Sequence, residues 1–186
     1  MRTAFVIFNG LTAMDFIGIY DPLRRLKNMG LMPDFQWDIC ALSPEVEDEN
    51  GLVMIPTKVG ASLSSYDILI VAGGLATRKL VNNTEFINWI KTAEPCPLKV
   101  SVCSGALLLG AAGFLKGKKA TTHRSAFDLL QPYCQEVVDS RIVDEDDVIT
   151  ARGVTSGIDL GLYLCEKLVN TGAKQQIQQI MDYPYF

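Results

Sequence analysis

Among the five cysteines of this chain, Cys103 occupies a setting that could make a thiol reactive. It interrupts the run Lys99-Val-Ser-Val-Cys-Ser-Gly-Ala-Leu-Leu-Leu-Gly110, where a short β-branched stretch breaks and passes directly into a Gly-Ala-Leu helical pattern. A strand-to-helix turn this tight is a nucleophile elbow. It forces the apex residue into a strained backbone and pushes the side chain out over the sheet edge. Small neighbours such as Ser101 and Gly105 let the flanking chain pass. A thiol placed there meets the free N–H groups of the following helix, whose partial positive charge favours thiolate over thiol. The competing reading is a buried structural cysteine, common for an isolated Cys but poorly matched to this context.

A nucleophilic sulfur needs a group that moves protons. Asp15 is the first carboxylate after the first predicted strand, and burial beside a thiolate would raise its pKa, the direction proton donation requires. Thr12-Ala-Met-Asp15 also fits a capping box, in which Asp15 would merely accept a backbone N–H, so spacing alone leaves both roles open. Gly73-Gly74 closes a buried strand. It reads as a turn needing positive φ, or as exposed amides that, with the Ser104 N–H, form an anion-binding hole. It is no dinucleotide fingerprint, because GxGxxG spacing is absent. His123, the only histidine, could complete a Cys/His dyad, although a hydrogen-bonded structural role is the commoner fate of a lone His. Asp159 reads as a first-turn helix carboxylate, and Arg78 and Arg152 as surface residues that could also bind an anion.

The elements that must position these groups alternate along the chain. Strand-length apolar runs are expected at residues 3–8, 35–41, 68–72 and 99–102, and helices at 14–28, 85–92, 106–112, about 156–169 and 173–181. Residues 139–151 read as a hairpin with Glu145-Asp146-Asp147 as its solvated turn. The Leu107–Leu109 run and the tail Tyr183-Pro-Tyr-Phe186 read as packing residues. Such alternation predicts an α/β fold on a parallel sheet, whose ligands bind just beyond the carboxyl ends of the strands. Asn9 to Asp15, Gly73-Gly74 and Cys103-Ser104 all fall there.

Composition narrows the function. At 186 residues, 48% hydrophobic and 20% charged, the chain suits one compact domain over 1–186. A net charge of −4 with no basic stripe argues against nucleic acid as a partner. The N-terminal apolar run is too short for a signal peptide, and no segment approaches the roughly 18 apolar residues of a membrane span, so a cytoplasmic protein is expected. An odd number of scattered cysteines with no CxxC pair predicts reduced thiols, and one histidine predicts no metal site.

Cys103 through His123, together with Leu11-Thr-Ala-Met-Asp-Phe-Ile-Gly18, Val71-Ala-Gly-Gly74 and Gly153-Val-Thr-Ser-Gly-Ile-Asp159, resembles the ThiJ/PfpI superfamily of class I glutamine amidotransferase-like folds, and within it the branch that hydrates isocyanides. The likeness runs over nearly the whole chain. It implies a flavodoxin-like three-layer α/β/α sandwich, a homodimer, a small-molecule substrate and no cofactor. It also implies Cys103 as nucleophile, Asp15 as its acid, and Gly74 and Ser104 at the amide site. The implied reaction is attack of sulfur on an isocyanide carbon, a thioimidate, and release of an N-substituted formamide. Ser104 replaces the threonine of that branch, Ile19 a proline, and Arg152 intrudes in a glycine-rich segment. Peptidase relatives place a histidine directly after the cysteine and amidotransferases a late His-x-Glu; neither pattern occurs here, which weakens both of those readings. AraC-type regulators share the Ala-Thr-Thr-His run but continue into a helix-turn-helix domain that these residues lack. The alternative of a different class is a ligand or redox sensor built on Cys103.

Overall fold

The computed structural model describes residues 1–184, so Tyr185 and Phe186 of the aromatic tail lie outside the described residues. The first half of the chain forms β1 (Arg2–Val6), α1 (Ala13–Asn28), β2 (Gln36–Ala41), β3 (Val46–Glu47), β4 (Val53–Met54), β5 (Lys58–Val59), β6 (Ile68–Val71), α2 (Thr77–Leu80) and α3 (Thr84–Lys91). The second half forms β7 (Leu98–Val102), α4 (Gly105–Ala111), β8 (Lys119–Ala120), α5 (Phe127–Leu130), β9 (Glu136–Val137), β10 (Ile142–Asp144), β11 (Val148–Ala151), α6 (Ser156–Leu168) and α7 (Thr171–Ile180).

Seven strands make the central sheet in the order β10-β11-β7-β6-β1-β2-β5, every neighbouring pair parallel except β10 with β11. The Ile-Leu-Ile-Val of β6 and all of β7 are buried at each residue, as a parallel sheet covered on both faces demands. Helices α1, α6 and α7 pack together, and α2, α3 and α5 gather around α4, giving a flavodoxin-like three-layer α/β/α sandwich. Gly105 through Gly110 of α4 are wholly interior, as their apolar run predicted. The predicted hairpin is β10 and β11, with Asp146 at φ 66 in its turn. The ribbons β3-β4 and β8-β9 were not expected: two-residue strands carry no period-2 pattern, and tertiary pairing decides them. Among the described residues no helix is long and apolar enough to cross a membrane.

The connections create the crevice. From β1 the chain crosses through α1 to β2 on one side, whereas from the adjacent β6 it crosses through α2 and α3 to β7 on the other. The loops after β1 and β6 therefore part at the carboxyl edge. Phe5 of β1 packs edge-on against Phe16 and Tyr20 of α1, at 5.8 and 5.4 Å between ring centroids, which fixes the start of that helix over the sheet. On the other face, the Asn83 side chain caps α3 by accepting from the Phe86 N–H at 3.0 Å. Replacing Asn83 with Ala should cost about 1 kcal/mol of stability, read as a lower urea midpoint with the slope unchanged.

Candidate active site

Cys103 sits at φ 56, the left-handed region, directly between β7 and α4. The strain is held from both sides. The Cys103 N–H is shared by the Ala151 and Arg152 carbonyls at 3.0 and 3.2 Å, and its own carbonyl accepts from Thr122 Oγ1 at 2.8 Å. A side chain on Gly105 would collide with the Val71 and Ala72 carbonyls, which is why the residue two after the cysteine is glycine. The thiol lies at the foot of a cleft of about 290 Å³, only 6% exposed.

Asp15 is fully buried on the inner face of α1. Capping does not explain it. The N-cap Thr12 makes no side-chain cap bond; its N–H donates to the Gly73 carbonyl at 3.0 Å and its hydroxyl to Glu49 Oε1 at 3.1 Å. Neither Asp15 oxygen has a hydrogen-bond partner, although the nearby Cys103 thiol and Gly73 N–H still favour the carboxylate. Burial therefore dominates and, with the Glu49 charge adding to it, raises Asp15 from 3.8 to about 6.

Gly73 is the partition between the two groups. A Cβ there would lie 2.6 Å from Asp15 Oδ2, 2.7 Å from Cys103 Cβ and 2.7 Å from the Ser104 N. Only hydrogen leaves room for carboxylate and thiol to meet.

Two expectations need correction. Burial pushes the Cys103 thiol up to about 12, the Asp15 charge adding to it, and this outweighs the Ser104 N–H and hydroxyl that pull it down. The helix start does favour the anion, but less than lost hydration and a neighbouring carboxylate oppose it. Cys103 is thus no free-standing thiolate: between about pH 6 and 12 the Cys103–Asp15 pair holds one proton. The anion hole is also not open at Gly74, whose N–H donates to Ser104 Oγ at 3.0 Å while that hydroxyl lies 2.9 Å from the Gly74 carbonyl. Gly74 stands at φ 140, and a Cβ on it would lie 2.5 Å from Leu11 Cα, so its role is to let the β6 loop pass and be latched by Ser104. The Ser104 N–H lies where it favours the Cys103 thiolate, and the Gly73 N–H where it favours the Asp15 carboxylate.

His123 lies beside the sulfur without bonding to it. Gly153 separates them: a Cβ there would strike His123 Cδ2 and fall 3.1 Å from Cys103 Sγ. His123 Nδ1 accepts from the Ser125 N–H at 3.2 Å, which makes the ring a cap for residues 124–126. Asp159 is held by Arg141 and by the Tyr183 hydroxyl at 2.7 Å, and Arg152 pairs with Asp139 over the Phe127 ring; both stand outside the cleft lining. Arg78, expected at the surface, instead lines the cleft together with Glu49, Leu75, Ser125 and Val154, none of which the sequence singled out. They come from a ribbon, a short helix and loops remote in sequence, so no local pattern marks them. All five cysteines are free thiols, and no group of three or more His, Cys, Asp or Glu side chains suited to a metal occurs among the described residues.

A strained cysteine at the apex of a strand-to-helix turn, set beside a buried aspartate in an α/β/α sandwich, defines a class of elbow-cysteine proteins. Within that class the chain belongs to the DJ-1/PfpI family, whose model matches residues 1–167. It is 33% identical over 186 residues to the isonitrile hydratase of Pseudomonas putida, covering 98% of this chain and 78% of that protein. A ThiJ/PfpI family protein of Pseudomonas syringae, known from its crystal structure, matches with a TM-score of 0.90 at 30% identity, over 100% of this chain and 76% of the other. Protein DJ-1alpha of Drosophila melanogaster is 24% identical, over 97% of this chain and 83% of its own length.

Proposed function

We propose that the chain hydrates small isocyanides to N-substituted formamides, with Cys103 as nucleophile and Asp15 as the group that moves its protons. The observation that carries this reading is geometric: a strained cysteine and a fully buried carboxyl separated only by Gly73 at the foot of a cleft, where burial raises the proton affinity of both. The 33% identity to an isonitrile hydratase supports the choice of electrophile.

The chemistry balances without any further reactant than water. As Cys103 Sγ bonds to the terminal isocyanide carbon, its proton passes to Asp15 and from there to the same carbon, giving a thioimidate and an Asp15 carboxylate. Water then adds its hydroxyl to that carbon while its other proton travels through Asp15 to the nitrogen. The carbon–sulfur bond breaks as the hydroxyl proton returns, again through Asp15, to sulfur. Formamide leaves and the pair has regained its proton. Burial is what fits Asp15 for this: a carboxyl near 6 both gives and takes a proton at neutral pH, which one near 3.8 does poorly.

Formamide production from an n-alkyl isocyanide, followed by proton NMR, tests the reading. Wild type should turn over and Cys103→Ala should fall below detection, a loss of at least ~10³-fold. An inert wild type in which peroxide converts Cys103 to the sulfinic acid would select redox sensing instead.

A further inference from the structure

The Cys103 cleft contains a guanidinium with no counter-ion. Arg2, Arg24, Arg25, Arg141 and Arg152 each pair with an aspartate, whereas Arg78 and the exposed Arg124 form no ion pair among the described residues, and of these two it is Arg78 that lines the cleft. Its Nη2 donates to the neutral Ser125 Oγ at 3.0 Å. That hydroxyl is itself anchored, lying 2.9 Å from His123 Nδ1. Glu49, the other charged residue of the lining, is engaged by the Thr12 hydroxyl rather than by Arg78. A positioned, half-buried guanidinium keeps most of its five N–H donors for a ligand, in a fork that matches a carboxylate. Arg78 and Cys103 line one and the same cleft of about 290 Å³.

We infer that Arg78 is a specificity residue that recognises a carboxylate on the substrate, so that the preferred isocyanides are those bearing a carboxylate close to the isocyano group. This rests on the proposed isocyanide reaction for the choice of substrate, but not for the recognition of the anion. Glu49 and Asp15 make the cleft negative, and without Arg78 an anionic substrate would be repelled by both. Arg78 acts on binding and orientation, not on the reacting atoms.

Two matched pairs of probes separate the layers. Isocyanoacetate and its methyl ester differ in charge and one methyl group, and iodoacetate and iodoacetamide, nearly equal in size, differ in charge; the second pair alkylates Cys103 with loss of iodide whether or not isocyanides are substrates. For wild type, the acid-to-ester ratio of kcat/KM should be at least ~10 and should fall about 10-fold in Arg78→Gln, with partial recovery in Arg78→Lys. The iodoacetate-to-iodoacetamide ratio at the Cys103 peptide should fall in parallel. Salt at 1 M, where the screening length is about 3 Å, should lower both ratios in the wild type, a readout that needs no variant. Ratios that ignore both Arg78 and salt overturn the inference, whatever the turnover. Alkylation ratios that follow Arg78 in a protein inert to both isocyanides uphold anion recognition and sink the hydratase reading alone.

Discussion

Asp15→Asn should lower kcat for an isocyanide by about 10³-fold while making the fold more stable by about 2 kcal/mol at pH 7. The two effects share one cause. Asparagine keeps the shape of Asp15 but cannot carry the pair's proton, so neither the carbon nor the nitrogen is protonated in step with bond formation. Stability moves the other way because the carboxylate is buried without a good partner. A rise from 3.8 to about 6 corresponds to roughly 3 kcal/mol of unfavourable burial of the charge, from which about 1 kcal/mol is deducted for an amide equally short of partners. Below pH 3.8 the carboxyl is protonated in both folded and unfolded chains and the cost vanishes. Between 3.8 and about 6 only the folded chain holds the proton, so wild-type stability falls as pH rises; above 6 the full cost remains. Urea midpoints of the two proteins should therefore converge as pH drops from 7 towards 4. The wild-type kcat/KM should rise through about pH 6, where the pair drops to a single proton, and Asp15→Asn should lose that limb. A variant less stable at pH 7, or one that keeps the limb, contradicts the assignment.

The parts of this site that were legible in the sequence are those set by local covalent constraint. The left-handed backbone of Cys103 follows from its small neighbours and the abrupt switch from strand to helix pattern, and the sheet follows from apolar runs such as Ile68–Val71. Asp15 was ambiguous only while the capping box was weighed alone. Asp15, Ile19, Leu23 and Leu26 fall at helical spacing on one stripe, and all four are fully buried, so the 3.6-residue period of α1 already turns the carboxylate inward. Charge state was not legible. A helix N-terminus can be read from residues, but the depth of burial that overrides it depends on elements far along the chain. The same holds for the Gly74 amide, captured by a hydroxyl thirty residues away in sequence, and for Arg78 and Glu49, which reach the cleft from opposite sides of the switch point. Proton affinity and specificity are tertiary properties here; the nucleophile's backbone is a local one.

Gly73→Ala should abolish turnover, by at least ~10³-fold, with a loss of stability of about 1–3 kcal/mol. The methyl group has nowhere to go. It would lie 2.6 Å from Asp15 Oδ2 and 2.7 Å from both Cys103 Cβ and the Ser104 N; the carboxylate oxygen is a side-chain end that can rotate, but the other two atoms belong to the elbow itself. The α1 backbone fixes the Cα of Asp15, while Cys103 is held at its strained turn by its N–H, shared between the Ala151 and Arg152 carbonyls, and by the Thr122 hydroxyl on its carbonyl, and the Ser104 N by the same turn. Relief must therefore come from swinging the Asp15 carboxylate aside or from moving α1 away from the elbow, and either separates carboxyl from sulfur and dissolves the one-proton pair. The pH signature follows with its sign: Asp15 loses the thiol that helps to lower its pKa, and Cys103 loses the carboxylate charge that helps to raise its own. Cys103 alkylation in Gly73→Ala should accordingly titrate at a lower pH than in a wild type held up to about 12. Gly30→Ala is the comparison that separates geometry from stability. Gly30 has φ +70 with nothing within 4 Å of a Cβ, so it costs about 1 kcal/mol of backbone strain and leaves turnover and the alkylation profile unchanged. If Gly73→Ala and Gly30→Ala lose activity to the same extent, the contact between Asp15 and Cys103 is not what the cleft depends on.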